Sequence, residues 1–139
     1  MKVLLDTNVL SEARRSGGHA GVRRYLADAD PDDLFMSVIS IGEIAYGIAR
    51  LAPGSKRREL QAWLAMTQHH FADHILPIDR EIAQRWGELT AKAAKAGRPL
   101  HAADGLIAAT ALHHGLCLMT RNAKDYESTG VTLHAPWDE

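Results

Sequence analysis

The chain has almost nothing to crosslink with: its one cysteine, Cys117, excludes an internal disulfide and fits a reducing cytoplasm. It has no apolar run near the roughly 20 residues that a membrane helix needs, and its N-terminus lacks a signal-peptide pattern. It also lacks a charge imbalance, because 16 Lys and Arg face 17 Asp and Glu. Net charge therefore gives no support for nucleic-acid binding, while a local basic patch stays open. Repeats, low-complexity tracts and linker-like stretches are absent too. The expectation is one domain over residues 1–139, long enough for a real core.

What is present begins at residue 3. Val3, Leu4 and Leu5 form a short apolar run suited to a buried strand. The run stops at Asp6, and Thr7-Asn8 offer turn and helix-cap chemistry before Val9 and Leu10. A carboxylate where a buried strand ends lies at a sheet edge, the place where open α/β folds bind ligands.

Beyond Gly17-Gly18, Val22, Tyr25 and Leu26 give His19–Ala29 a helical pattern, closed by the turn Asp30-Pro31-Asp32-Asp33. Leu34 to Val38 reads as a second strand. Ser40-Ile-Gly-Glu43 has capping-box form and is expected to start a helix through Ile44, Ile48 and Leu51, ended by Pro53-Gly54. Ser55 to Phe71 is a further helix, with Leu60, Trp63, Leu64 and Thr67 on one side. Ile75 to Ile78 is a candidate short strand. Asp79 caps a helix carrying Ile82, Ala83, Trp86, Leu89 and Ala93 on one stripe, stopped by Gly97 and Pro99. His101 to His114 is the next helix, with Ala103, Leu106, Ile107, Thr110 and Ala111 facing inward and Gly115 as its stop. Leu116 to Met119 is a third buried strand, and Val131 to Leu133 a short edge strand. Strands alternating with helices predict a mostly parallel sheet in an α/β/α arrangement.

That topology gathers chemistry. Helices run opposite to the strands of a parallel sheet, so helix starts lie beside strand ends. Asp6 ends the first strand, and Glu43 falls in the first turn after the second. Asp104 falls in the first turn of the helix entering the third, and Thr120-Arg121-Asn122 leaves that strand's end. Three carboxylates and an amide thus meet in one crevice. Carboxylates this close repel, so a positive group belongs between them. Mg²⁺ or Mn²⁺ favours such oxygen ligands and uses them together with substrate phosphate. A site of this kind suits phosphodiester hydrolysis by metal-activated water.

Each acid also has an ordinary explanation. Asp6 suits a turn, Glu43 a capping box, and Asp104 a helix N-terminus. Only the metal reading accounts for all three at one edge. An aspartyl-phosphate phosphatase needs a second acid in D-x-D, which Asp6-Thr7-Asn8 lacks.

The patterns Val-Leu-Leu-Asp6-Thr-Asn-Val-Leu, Ser-Ile-Gly-Glu43-Ile-Ala-Tyr-Gly, Ala-Ala-Asp104-Gly-Leu-Ile-Ala-Ala-Thr-Ala and Leu-Met-Thr120-Arg-Asn122 resemble PIN-domain ribonucleases. Within these the chain is most similar to VapC toxins of type II toxin–antitoxin pairs, in the FitB-like branch, from Met1 to about Val131. The resemblance implies a Mg²⁺-dependent endoribonuclease cutting tRNA or ribosomal RNA to leave 5′-phosphate and 3′-hydroxyl ends. It also implies a homodimer held in check by a small VapB- or FitA-like antitoxin. Asp6, Glu43 and Asp104 match the metal-binding acids, and Thr7 and Thr120 the hydroxyls beside the site. The chain departs from the general pattern at the fourth position. Where many PIN domains have an acid, Asn122 stands here, with Asp125 following, which leaves open the identity of the fourth residue and the choice of one ion or two. A degenerate module acting only through antitoxin or regulatory binding is the alternative, and retention of all three acids argues against it.

Arg121 and Lys124 flank the proposed crevice and suit RNA phosphates. His101, one turn before Asp104, is a further candidate for contact with the substrate. His69, His70 and His74 read as a solvated helix end, and His113-His114 as a helix C-terminus. The basic pairs Arg14-Arg15 and Arg23-Arg24, with Lys56-Arg57-Arg58, read as solvated faces. Trp63, Trp86 and Tyr46 suit core or dimer packing.

Overall fold

A computed structural model describes residues 1–15 and 17–138. Five strands form one sheet: β1 (Val3–Leu5), β2 (Leu34–Ser37), β3 (Ile75–Leu76), β4 (Cys117–Met119) and β5 (Leu133–His134). Their spatial order is β3-β2-β1-β4-β5, and every neighbouring pair is parallel. Between them run α1 (Thr7–Arg14), α2 (Ala20–Asp28), α3 (Val38–Ala49), α4 (Ser55–Phe71), α5 (Arg80–Lys95), α6 (Ala102–His114) and α7 (Ala123–Tyr126). The sheet grows outward from β1 in both directions, to β2 on one side and β4 on the other. The crevice at such a reversal, outside the strands' C-terminal ends, is where open α/β sheets bind ligands.

β1 and β4 are apolar at every position because both faces are covered. Val3 and Leu5 of β1, with Cys117 and Met119 of β4, face a layer that includes Val9, Leu10, Val22, Ile44 and Ile48. Leu4 and Leu118 face the other way, onto Ile107, Ala108, Ala111 and Tyr126. Two-residue alternation along each strand therefore divides the core into two layers around the sheet. On the first side, Leu60, Trp63 and Leu64 pack in as predicted.

Several expectations need correction. Ser40 does not cap a helix: α3 starts earlier, at Val38, with Ser37 accepting from the Ile39 N–H at 3.0 Å. Glu43 consequently sits in the second turn. The last strand lies two residues later than expected, at Leu133–His134. α6 is not one-sided, since Gly105 and Ile107 through Ala111 are all buried between the sheet and α5. His74 is no solvated residue, because its Nδ1 meets the Leu34 carbonyl at 2.8 Å and its ring stacks on Phe35. Of the two expectations for Tyr46, core or dimer packing, only core packing is excluded: it is 65% exposed, with the Arg50 guanidinium over its ring.

Gly105, beside Asp104, lets α6 approach α5. A Cβ there would lie 2.9 Å from Trp86 Cδ1 and Nε1 and 3.2 Å from Thr90 Oγ1. Gly105→Ala is expected to destabilise the fold by about 1–3 kcal/mol, the usual scale of overpacking. Urea denaturation checks this, and an unchanged midpoint would show that the helices separate without cost.

Candidate active site

The end of β1 sets the site. Asp6 leaves the strand in extended conformation and caps α1, its Oδ1 accepting from the Thr7 N–H at 2.8 Å. The cap is therefore Asp6, and Thr7 already belongs to the helix. Asp6 is only 5% exposed. Its Oδ2 accepts from the Thr120 hydroxyl at 2.7 Å and the Tyr126 hydroxyl at 3.3 Å. The same Tyr126 hydroxyl reaches Asp104 Oδ1 at 3.1 Å, so the carboxylates that end β1 and start α6 share one phenol.

Glu43 is reached from α1. The Thr7 hydroxyl donates to Glu43 Oε1 at 2.7 Å and stands 2.8 Å from the buried Ser40 hydroxyl. With its own proton directed to Glu43, Thr7 accepts from Ser40. Ser40 thus serves the site indirectly and does not cap its helix. At the β4 end, the Asn122 N–H donates to Thr120 Oγ1 at 3.1 Å, and the Arg121 N–H approaches Asn8 Oδ1 at 3.4 Å.

Asp6, Glu43, Asp104, Arg121 and Asn122 line one open cavity of about 390 Å³ with Thr7. Four further residues on its wall were not anticipated: Asn8, Ser11, Glu12 and Arg15. Asn8, Ser11 and Glu12 carried a sequence signal, because with Thr7 they share one face of α1 by helical spacing, whereas Arg15 lies just past the end of that helix. Arg15 is therefore not a merely solvated residue. Lys124, His101 and Asp125 line an adjoining basin of about 470 Å³ that meets the first at Asp104. Of the two candidates for the fourth position, Asn122 shares the cavity with Asp6, whereas Asp125 faces the basin. Thr120 is fully buried behind the cavity, where its hydroxyl donates to Asp6 and accepts from the Asn122 N–H.

The local field follows from burial. Removal from water raises the Asp6 pKa above its ordinary value of 3.8; the bonds from Thr120, Thr7 and Tyr126 pull it down, and the nearby Asp104 charge pushes it up again. Burial, then the charges of Asp6 and Asp104, keep the Tyr126 hydroxyl protonated far above the usual phenol range. Among the described residues no Lys or Arg forms an ion pair with Asp6, Glu43 or Asp104. Nor is any trio of His, Cys, Asp or Glu already closed into a ligand cage for a metal. The donor set still fits a hard divalent cation, which takes one or two carboxylates and completes its shell with water and substrate phosphate.

Residues 3–130 match the model of the PIN domain. The chain belongs to the PIN-domain family. Among curated relatives, this PIN domain is similar to Toxin FitB of Neisseria gonorrhoeae, at 34% identity over 99% of each chain. It is also similar to VapC ribonuclease Y4jK of Sinorhizobium fredii, at 31% identity over 98% of each. Its fold superposes on the crystal structure of FitAcB from Neisseria gonorrhoeae with a TM-score of 0.91, covering 99% of each chain. The FitB-like branch and the α/β/α fold expected from the sequence are both borne out.

The raised Asp6 pKa has a sign. A carboxyl whose folded pKa exceeds its unfolded one contributes stability that is fully present below the unfolded value, near 3.8. That contribution is lost as pH rises through the folded pKa. With chelator present at pH 7, Asp6→Asn is therefore expected to melt above wild type, with the advantage shrinking as pH falls toward 3.8. Thermal melts across that range test it, and a constant offset at every pH would contradict it.

Proposed function

We propose that this PIN domain is the toxin of a VapBC-type toxin–antitoxin pair, a Mg²⁺-dependent endoribonuclease of the cytoplasm in which Mn²⁺ substitutes for Mg²⁺. The observation that carries the reading is the cavity at the β1–β4 reversal, where three acids stand without a cationic partner among the described residues. The relatives named as FitB toxin and VapC ribonuclease support the same chemistry. The FitAcB complex supports a small FitA- or VapB-like antitoxin as partner. A homodimer and a tRNA or ribosomal RNA substrate complete the proposal. No helix among the described residues is long and apolar enough to cross a membrane.

Asp6 and Asp104 would hold the ion, with Glu43 joining them directly or through water. When bound, the ion supplies Lewis-acid charge to the phosphoryl oxygens and lowers the pKa of water. The rest is done by the chain. Thr120 and the Thr7 N–H fix the Asp6 carboxylate, so its orientation survives repulsion from Asp104. Thr7 and Ser40 hold Glu43 toward the cavity. Arg121 and Arg15 bring positive charge to a polyanionic substrate, and Lys124 and His101 extend that side past Asp104. Asn122 offers an amide that binds water or phosphate without adding charge.

The test uses purified protein, RNA and added Mg²⁺. Asp6→Ala and Asp104→Asn are each expected to lower cleavage at least about a hundredfold, the scale of losing one preorganised electrostatic contact. Chelator should abolish cleavage in wild type. Folded wild type that leaves RNA intact with Mg²⁺ or Mn²⁺, or a variant that cuts equally well, would overturn the nuclease assignment. The first of these outcomes would point to a module that acts only by binding.

A further inference from the structure

Tyr126 ends the short α7, 1% exposed, with its ring in the apolar layer of Leu4, Ile107, Leu118 and Val131. Packing of this kind fixes the direction of the ring, and the chain around it is also pinned. The Thr129 hydroxyl donates to the Tyr126 carbonyl at 2.5 Å and accepts from the Val131 N–H at 3.2 Å. The one polar atom of the side chain therefore emerges at a fixed point, 3.3 Å from Asp6 Oδ2 and 3.1 Å from Asp104 Oδ1. The Asp104 charge acts on the buried Asp6 carboxylate, so the two acids that this hydroxyl bridges repel each other. A shared neutral donor opposes that repulsion without occupying a cation's place. It also engages one oxygen of each acid, and Asp104 Oδ2 takes no hydrogen bond among the described residues.

We propose that Tyr126 is a positioning residue, whose hydroxyl holds Asp6 and Asp104 at the separation a small divalent cation requires. This rests on the metal-site reading above. Groups that orient metal ligands typically govern affinity tenfold to a hundredfold. The effect should depend on ion size. Mg²⁺ requires short bonds in near-ideal octahedral geometry, whereas Ca²⁺ accepts longer bonds and a looser shell. Freed carboxylates would thus penalise Mg²⁺ more than Ca²⁺.

Calorimetric titration of wild type, Tyr126→Phe and Asp6→Ala with Mg²⁺ and separately with Ca²⁺ tests this. Phenylalanine retains the ring that fills the apolar layer, and a urea midpoint confirms that the variant is folded. The expected result is Mg²⁺ binding weakened about tenfold or more in Tyr126→Phe, with a smaller loss for Ca²⁺, and no binding in Asp6→Ala. Unchanged Mg²⁺ affinity in Tyr126→Phe would overturn the proposal and leave the metal site standing. Equal losses for both ions would also overturn it, since they would indicate a general structural defect. Absence of Mg²⁺ binding in wild type would overturn the metal-site reading and this proposal together.

Discussion

Burying the Asp6 carboxylate at the end of β1 is unfavourable on its own, because the charge loses most of its hydration beside a second carboxylate. The fold compensates from three directions. The first N–H of α1 comes from the same turn, the Thr120 hydroxyl from the end of β4, and the Tyr126 hydroxyl from α7. Each donor is neutral, so hydrogen-bonding capacity is met while net negative charge remains. An arginine in the place of these donors would have neutralised Asp6; the neutral donors leave its charge in the crevice.

That constraint explains why the parallel order matters. Only the β1–β4 adjacency places Thr120 over Asp6, and only the helix that enters β4 places Asp104 within reach of the same phenol. The apolar layers on either side make these placements stiff. Val3 and Leu5 anchor β1 from one face and Leu4 from the other, so Asp6 cannot shift along the strand without exposing core side chains. Glu43 is held less tightly, through the Thr7 and Ser40 hydroxyls, and it is exposed. Asp6 and Asp104 are thus a fixed pair of acids, and Glu43 a third that is free to adjust.

Much of this was legible in the sequence where local chemistry and periodicity agreed. The helix over Ser55–Phe71, the Asp79 cap and the αL stop at Gly115 lie where the sequence placed them, because capping and breaking residues act on their immediate neighbours. Ser40 misled, since S-x-x-E is also a capping box, and Ser37 satisfied the helix start first. The burial of α6 on nearly every side was hidden from any one-stripe pattern, because a helix of small residues sandwiched between α5 and the sheet has no polar face to reveal its orientation. Tyr126 was not singled out at all. Nothing local to Asn-Ala-Lys-Asp-Tyr shows that a hydroxyl 120 residues from Asp6 ends beside it.

The sequence by itself determined which residues are acidic, which strands are buried, and, through the alternation of strand and helix, that Asp6, Glu43 and Asp104 share one edge. Those outcomes depend on short-range periodicity and on the single way parallel strands and helices alternate in direction. The tertiary structure decided which hydroxyl serves which acid, that Asn122 and not Asp125 shares the cavity with Asp6, and that Arg15 stands on its wall. These depend on ångström-scale distances between side chains far apart in the chain, which are set by how the two core layers pack against the sheet.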